Sequence, residues 1–207
     1  MRDLRTPSGL LSDTLAAIDD RNADDPRSLG SPFDGPMAQV QGREASRWLG
    51  LLQPDASPEL QIAVRAHHID RWRLARSEFP PGRGGYLSWR REQKQRQASA
   101  AGVVMSELGW SQESIAEVQH LLLRRNLASD LGSQRVEDCA CLVFLESQFS
   151  DFSDGADPTR VVAIVAKTWN KMSPAAQRLA GDIPVAASSV ALLTAGIEAA
   201  RTGSFHP

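Results

Sequence analysis

The sequence predicts an all-α fold, a single-domain bundle of about seven or eight helices. Apolar residues recur at intervals of three and four along most of the 207-residue chain, which is the period of an α-helix. No segment shows sustained two-residue alternation bounded by turns, so no strand is predicted. Hydrophobic content of 42% and charged content of 23% are those of an ordinary globular protein with room for one sizeable domain.

The beginning of the chain predicts two helices separated by a loop. Residues 1–11 are predicted to be flexible, and a helix capped near Ser12 follows. Proline, glycine and serine are frequent over residues 26–36, which predicts a loop. A second helix is then expected from about Pro36 to Leu52.

A third helix has a clear start signal. Ser57 is a capping residue followed by proline in the first turn and then by an acidic residue near the positive end of the helix dipole. Leu60, Val64 and His68 follow at four-residue steps, so the apolar stripe is predicted to include His68. The pattern breaks after Trp72, where an arginine-rich loop begins.

The remaining helices are predicted from similar signals. A long helix is expected from about Tyr86 to Leu108, with its stop at Gly109. The helices over residues 12–175 are predicted to form one domain. Residues 176–207 are predicted to form a helical extension that packs on this domain or on a second subunit. The later helices are expected to start near Ser111, Gln134, Asp157, Ser173 and Val185.

Composition limits the classes of partner. A formal net charge of -2 argues against general affinity for nucleic acid or for a membrane surface. No apolar run approaches the ~20 residues of a membrane span, and no signal-peptide core follows the N-terminus. Cys139 and Cys141 are two residues apart and would point in different directions on a helix, so neither a disulfide nor a metal site is expected. These observations predict a cytoplasmic protein with buried thiols.

The segment from residue 65 to residue 90 is the strongest candidate for a site. It contains six arginines, two adjacent histidines, two tryptophans and a tyrosine. Arginine suits bidentate contacts with carboxylate or phosphate, and aromatic rings can stack on a planar ligand. We therefore predict a small anionic ligand. The predicted substrate-binding residues are Arg65, Arg71, Trp72, Arg76, Tyr86, Trp89, Arg90, Gln97 and Glu137.

Each of these residues also has a structural interpretation. The arginines could form ion pairs, and the candidate carboxylates are those of Asp70, Glu78, Glu92 and Glu137. The aromatic residues could simply pack at helix ends. Gln97 lies on the inward face of the long predicted helix and could serve as a structural hydrogen-bonding group, because a buried polar side chain needs partners.

His68 and Asp138 are the candidate catalytic residues. A neutral imidazole can act as a general acid or base or as a metal ligand, and Asp138 could orient it. The structural alternatives are a core histidine bonded to a carboxylate, and an aspartate that interacts with amides at the start of its helix.

The chain resembles the DUF4202 family, a bacterial and fungal family of unknown function, over roughly residues 12–175. That family in turn looks like a degenerate relative of the HD-domain phosphohydrolases, helical enzymes whose metal is held by histidines and aspartates. The residues that carry the resemblance to DUF4202 are Ala16-Ala17-Ile18-Asp19, Trp48-Leu49, Ala66-His67-His68-Ile69-Asp70-Arg71-Trp72, Gly85-Tyr86-Leu87-Ser88-Trp89-Arg90, Glu137-Asp138-Cys139-Ala140-Cys141-Leu142-Val143-Phe144-Leu145-Glu146 and Lys167-Thr168-Trp169-Asn170-Lys171-Met172.

The resemblance implies an HD-like helical fold in which His68 matches the HD histidine and Asp138 the final aspartate. Ile69 stands where the resemblance implies an aspartate, and Gln97 where it implies a histidine. The second helix has Ala38 and Gln41 where an acid and a tyrosine are implied. We therefore predict no metal ligands and no tightly held metal, and the sequence names no cofactor.

Two functions are compatible with these patterns. The first is a hydrolase- or transferase-like enzyme that acts on a small phosphorylated or carboxylated substrate, with His68 and Asp138 central. The second is a non-catalytic helical ligand-binding or scaffold protein that has kept the fold and lost the metal site. A homodimer is possible in either case.

Overall fold

The fold is all-α, as predicted. A computed structural model describes residues 7–204, and this part of the chain contains ten α-helices, more than the seven or eight expected. Two short 3-10 helices, Arg71–Arg73 and Arg76–Glu78, account for part of the arginine-rich loop. The α-helices are α1 Pro7–Asn22, α2 Met37–Leu52, α3 Pro58–Arg65, α4 Gly82–Leu108, α5 Gln112–Leu123, α6 Leu131–Ser147, α7 Phe149–Ser153, α8 Pro158–Trp169, α9 Pro174–Ala180 and α10 Ala187–Thr202.

A short β-hairpin lies within the predicted loop between the first two helices. Strand β1, Ser28–Leu29, pairs antiparallel with β2, Gly35–Pro36, and Leu29 pairs with Gly35. Two-residue strands carry too little alternation to be detected from sequence. The hairpin leads directly into α2, where the backbone amide of Met37 donates to the carbonyl of Arg27 at 2.7 Å.

The chain forms two compact units, with the boundary between Val136 and Glu137 inside α6. In the first unit, α4 packs against α5 and α1, while α3 packs against α2 and α5. This arrangement removes apolar side chains from water, which is the main favourable term in folding. The largest fully buried apolar residues of this unit are Ile18, Ile62, Ile69, Met105 and Leu122.

In the second unit, α10 packs along α8 and also contacts α7. Gly196 of α10 lies so close to α8 that a Cβ atom added to it would be 2.4 Å from the Cβ atom of Val165. The predicted tail helix thus has a partner within its own unit. Leu142 and Phe149 are fully buried, and Cys139 and Cys141 are buried thiols outside any disulfide, as predicted.

The predicted helix starts are confirmed where a capping side chain precedes the helix. The hydroxyl of Ser57 accepts from the amide of Leu60, and those of Ser111 and Ser173 make equivalent contacts at α5 and α9. The carboxylate of Asp157 accepts from the amide of Thr159 at the start of α8. Such contacts satisfy amides that have no partner inside the helix.

Several predicted boundaries need correction. Residues 7–11 of the segment predicted to be flexible are helical, since α1 begins at Pro7, and residues 1–6 lie outside the described residues. Helix α4 begins at Gly82 rather than near Tyr86. Helix α3 ends at Arg65, so the expected continuation of its stripe to His68 is wrong. No glycine or proline marks that end, and the chain instead turns through Asp70 in the left-handed conformation, at φ 53°.

Within residues 7–204, every helix is too short or too polar to span a lipid bilayer.

Candidate functional site

The adjacent histidines lie in a tight turn that follows α3. The amide of Ile69 donates to the carbonyl of Ala66 at 2.9 Å, and that of Arg71 donates to the carbonyl of His68 at 3.1 Å. Asp70 closes the turn, and its carboxylate accepts from Arg21 at 2.7 Å and from Arg73 at 3.1 Å. These contacts stabilise a backbone conformation that an aspartate tolerates better than most residues.

The two histidine rings have different roles in this turn. His67 is buried, and its Nδ1 donates to the carbonyl of Val64 at 2.8 Å. His68 is half-buried, and its Nδ1 lies 2.6 Å from Oε1 of Gln41 on α2. Because an amide oxygen can only accept, Nδ1 of His68 carries the proton. Nε2 then has its lone pair available, and it has no hydrogen-bond partner among the residues that the structure describes.

Gln41 lies near the start of α2, which Asp25 caps. The carboxylate of Asp25 accepts from the amide of Ala38 at 3.1 Å and so satisfies an amide in the first turn of α2. Gln41 lies three residues after Ala38, about one helical turn further along α2, and is 2% exposed. A buried amide oxygen that accepts from Nδ1 favours one orientation and one tautomer of the His68 ring.

Positive charges surround His68. Burial lowers the pKa of His68 well below its usual value of 6.5, and the charges of His67, Arg71, Arg124 and Arg27 lower it further. His68 is therefore neutral at physiological pH. A neutral imidazole with an available Nε2 can accept a proton, which is the property that a general base requires.

Arg71 is positioned by the first half of α4. The Nε2 amide of Gln93 donates to the carbonyls of Arg71, at 2.9 Å, and of Leu74, at 3.0 Å. The indole of Trp89 donates to the same Leu74 carbonyl at 3.1 Å. The guanidinium carbon of Arg71 lies 5.0 Å from the centroid of the Trp89 ring, within the range of a cation–π contact.

Arg71 and Arg90 form the electropositive part of the site. Burial and the nearby charge of Arg90 lower the pKa of Arg71 to about 10. Both side chains are half-buried, and neither has a carboxylate partner within residues 7–204. Arg90 instead lies over the ring of Tyr86, with 5.9 Å between its guanidinium carbon and the ring centroid. Half-buried guanidiniums without a counter-charge are suited to binding an anion.

Two further arginines contribute to the positive field. Arg27 forms a two-point ion pair with Asp25, at 2.9 Å and 2.8 Å. Burial opposes ionisation of Asp25, but the bonds from Arg27 and Ala38 outweigh it and lower the pKa of that carboxyl. Arg124 ends α5 in the left-handed conformation and is 9% exposed. A cation at a helix end is commonly solvated, so the burial of Arg124 is a feature of the tertiary structure.

Gln97 lies on the same face of α4 as Arg90, two turns further along, and Lys94 lies between them. It is 1% exposed, and its Nε2 amide has no hydrogen-bond partner among the described residues. An unpaired buried donor is costly unless a ligand or water satisfies it. Gln97 therefore remains a candidate for ligand binding.

The other predicted substrate-binding residues of this unit have partners within the fold. Arg65 donates to both carboxylate oxygens of Asp19 at 2.9 Å and to the hydroxyl of Ser46 at 2.9 Å. These contacts match the ion-pair alternative, although with a different carboxylate. Arg76 donates to backbone carbonyls, including that of Phe79 at 2.9 Å. Trp72 is half-buried beneath the guanidinium of Arg73.

Asp138 and Glu137 belong to the second unit and have partners there. Asp138 lies about two turns into α6, so it does not interact with the amides at the start of that helix as the structural alternative had it, and it is fully buried. Its carboxylate accepts from the amide and the hydroxyl of Ser173, at 2.7 Å and 2.6 Å. Glu137 is 5% exposed and lies 3.6 Å from the Nζ atom of Lys171. The catalytic role of Asp138 and the substrate-binding role of Glu137 stay predictions.

No group of three or more histidine, cysteine, aspartate or glutamate side chains is arranged to hold a metal ion in the described part of the chain. At the start of α2, Ala38 contributes its amide to Asp25 rather than a ligand side chain. The chemistry available around His68 is that of an imidazole, an amide and guanidiniums.

Sequence reasoning missed four contributors to the site. Gln41 was considered only as a departure from a family pattern, although it is the residue that orients His68. Arg27 falls in the predicted loop over residues 26–36 and Asp25 directly before it, and no contact of either residue was predicted. The only hint for Arg124 was its position at a helix end, which equally suits a solvated cation.

Comparison of the chain with curated proteins found no match, and comparison with solved structures found none either. A family model does match, over residues 12–193, and its description is a domain of unknown function, DUF4202. The match covers most of the chain and extends beyond the segment that the motifs indicated. The protein therefore belongs to the DUF4202 family.

Proposed function

We propose that the chain is an enzyme acting on a small anionic substrate, phosphorylated or carboxylated, with His68 as the general acid or base. The observation that carries the proposal is the state of His68. Gln41 accepts from its Nδ1–H at 2.6 Å, its Nε2 has no partner among the described residues, and burial together with nearby guanidinium charges lowers its pKa, so the ring is neutral.

The chemistry follows from these groups. Arg71 and Arg90 bind the anionic part of the substrate, which brings the reacting atom to a fixed place. Nε2 of His68 takes a proton from a water or hydroxyl nucleophile and later returns one to the leaving group, as in hydrolysis or group transfer. The guanidiniums stabilise negative charge that develops in the transition state. Gln41 is a positioning residue, because it acts through His68.

The test is turnover of a panel of phosphate monoesters and carboxylate-bearing esters. Wild type is compared with His68→Gln, and with Arg90→Met against Arg91→Met. Arg91 is an exposed neighbour on the same helix, so its replacement removes the same charge outside the site. We expect His68→Gln to lower turnover about a hundredfold or more, the usual scale for a general acid or base. Arg90→Met lowers turnover and Arg91→Met leaves it unchanged.

Turnover that His68→Gln leaves intact would contradict the assignment of His68. Saturable anion binding without turnover on the whole panel would favour the non-catalytic ligand-binding protein instead.

A further inference from the structure

The charges around Arg71 and Arg90 indicate how much negative charge the ligand carries. Several other arginines of the first unit have carboxylate partners: Arg21 and Arg73 pair with Asp70, Arg43 and Arg65 with Asp19, and Arg27 with Asp25. Arg76 donates to backbone carbonyls instead, and Arg83 and Arg91 are exposed. Arg71 and Arg90 have none among the described residues, although both are half-buried and the charge of Arg90 adds to burial in lowering the pKa of Arg71. The pair therefore has an excess of two positive charges.

Aromatic rings lie directly beside these two guanidiniums. Arg71 lies over Trp89 and Arg90 over Tyr86, and the two ring centroids are 6.0 Å apart. Tyr86 is 43% exposed, and its neighbour Leu87 is 53% exposed. An exposed ring next to a charged anchor favours a ligand whose own ring can stack on it.

We propose, resting on the proposed function, that the substrate is a phosphate monoester that carries a planar ring, its phosphate held by Arg71 and Arg90 and its ring stacked on Tyr86. A phosphate monoester has close to two negative charges at neutral pH, whereas a carboxylate or a sulfate ester has one. Its three free oxygens can also accept from both guanidinium forks at once, as Arg–phosphate contacts commonly do. A monoanion would leave one half-buried guanidinium uncompensated, which lowers affinity.

The experiment is titration calorimetry at pH 7.5 with four probes: phenyl phosphate, phenyl sulfate, benzoate and inorganic phosphate. Phenyl phosphate and phenyl sulfate share the ring and the tetrahedral anion and differ by about one charge. We expect phenyl phosphate to bind about tenfold more tightly or better, since one charge-assisted contact is worth that much. Inorganic phosphate should bind more weakly than phenyl phosphate because it lacks the ring.

Variants separate the two parts of the site. Arg71→Met and Arg90→Met should each weaken phenyl phosphate binding about tenfold and remove the preference over phenyl sulfate. Tyr86→Ala should weaken phenyl phosphate about threefold to tenfold and leave inorganic phosphate unchanged. Arg91→Met and Leu87→Ala are the matched controls, because each removes a comparable exposed side chain next to the site. The backbone of Arg71 is held by Gln93, so its replacement leaves the turn anchored.

Arg71→Lys and Arg90→Lys keep the positive charge and serve as controls for misfolding of the methionine variants. Each should retain the preference for phenyl phosphate while binding it more weakly, since lysine lacks the fork. If wild type binds phenyl phosphate, phenyl sulfate and benzoate with equal affinity and Arg71→Met binds none of them, the inference of a phosphate monoester is wrong. The proposal of an anionic substrate would still hold. The inference is also wrong if Arg71→Met and Arg90→Met bind every probe as wild type does. Turnover that depends on His68 would in that case still support the role of His68.

Discussion

Replacement of Gln41 by glutamate should raise the pKa of His68. The carboxylate would lie where the amide oxygen now lies, 2.6 Å from Nδ1, in a place that is 2% exposed. An opposite charge at this range favours the protonated imidazole and raises its pKa by about 1 to 3 pH units. The change would oppose the burial and the guanidinium charges that hold the pKa of His68 below 6.5 in the wild type.

The assay is a nuclear magnetic resonance titration of the histidine ring protons, with the His68 signal assigned by its loss in His68→Gln. Gln95→Glu is the control, because it adds the same charge on an exposed face of α4, where solvent screens it. The nitrogen shifts of the wild-type ring identify which nitrogen carries the proton. A wild-type ring protonated at Nε2, or equal pKa values of His68 in the wild type and Gln41→Glu, would refute the reasoning.

Two further predictions concern stability. The unfolded state protonates His68 near pH 6.5 while the folded state keeps it neutral, so the unfolded state binds more protons as the pH falls. Between pH 7.5 and pH 5.5, the free energy of unfolding of the wild type, measured with urea, should therefore fall by about 1 kcal/mol more than that of His68→Gln. Parallel plots of unfolding free energy against pH would contradict this. Arg65→Met should lower the free energy of unfolding by about 2 kcal/mol, because it leaves the carboxylate of Asp19 with only one arginine. The side chains of Arg65 and Asp19 are only 15% and 12% exposed. Arg96→Met is the control, because it breaks an exposed ion pair with Glu92 and should cost under about 0.5 kcal/mol of unfolding free energy; equal losses in the two variants would contradict the role of Arg65.

The sequence predicted helix starts better than helix ends. A capping serine followed by proline, as at Ser57 and Ser173, is a local signal, and the structure has helices at both places. The end of α3 depends on Asp70, whose left-handed conformation is stabilised by Arg21 from α1. That contact joins residues 49 positions apart, and no local pattern encodes it.

The same distinction explains what could be predicted of the site. The residue types that bind anions were evident from the composition of one segment. Which of them are available to a ligand depends on carboxylates elsewhere in the chain, such as Asp19, which takes Arg65 across 46 positions. The partner of His68 is likewise 27 positions away, on a different helix. Pairing at such separations is a property of the tertiary structure.

Trp89 and Gln93 of α4 bind the carbonyls of Arg71 and Leu74, so the position of the site does not depend on the connection that follows Leu74. Trp89 and Gln93 fix the end of the histidine turn directly, so residues 75–81 have only to bridge back to the start of α4. A connection of that kind is free to vary in length, since doubling a flexible loop costs only about 0.6 kcal/mol. In related or engineered proteins, insertions there would lengthen the connection while Arg71 and Arg90 stay in register.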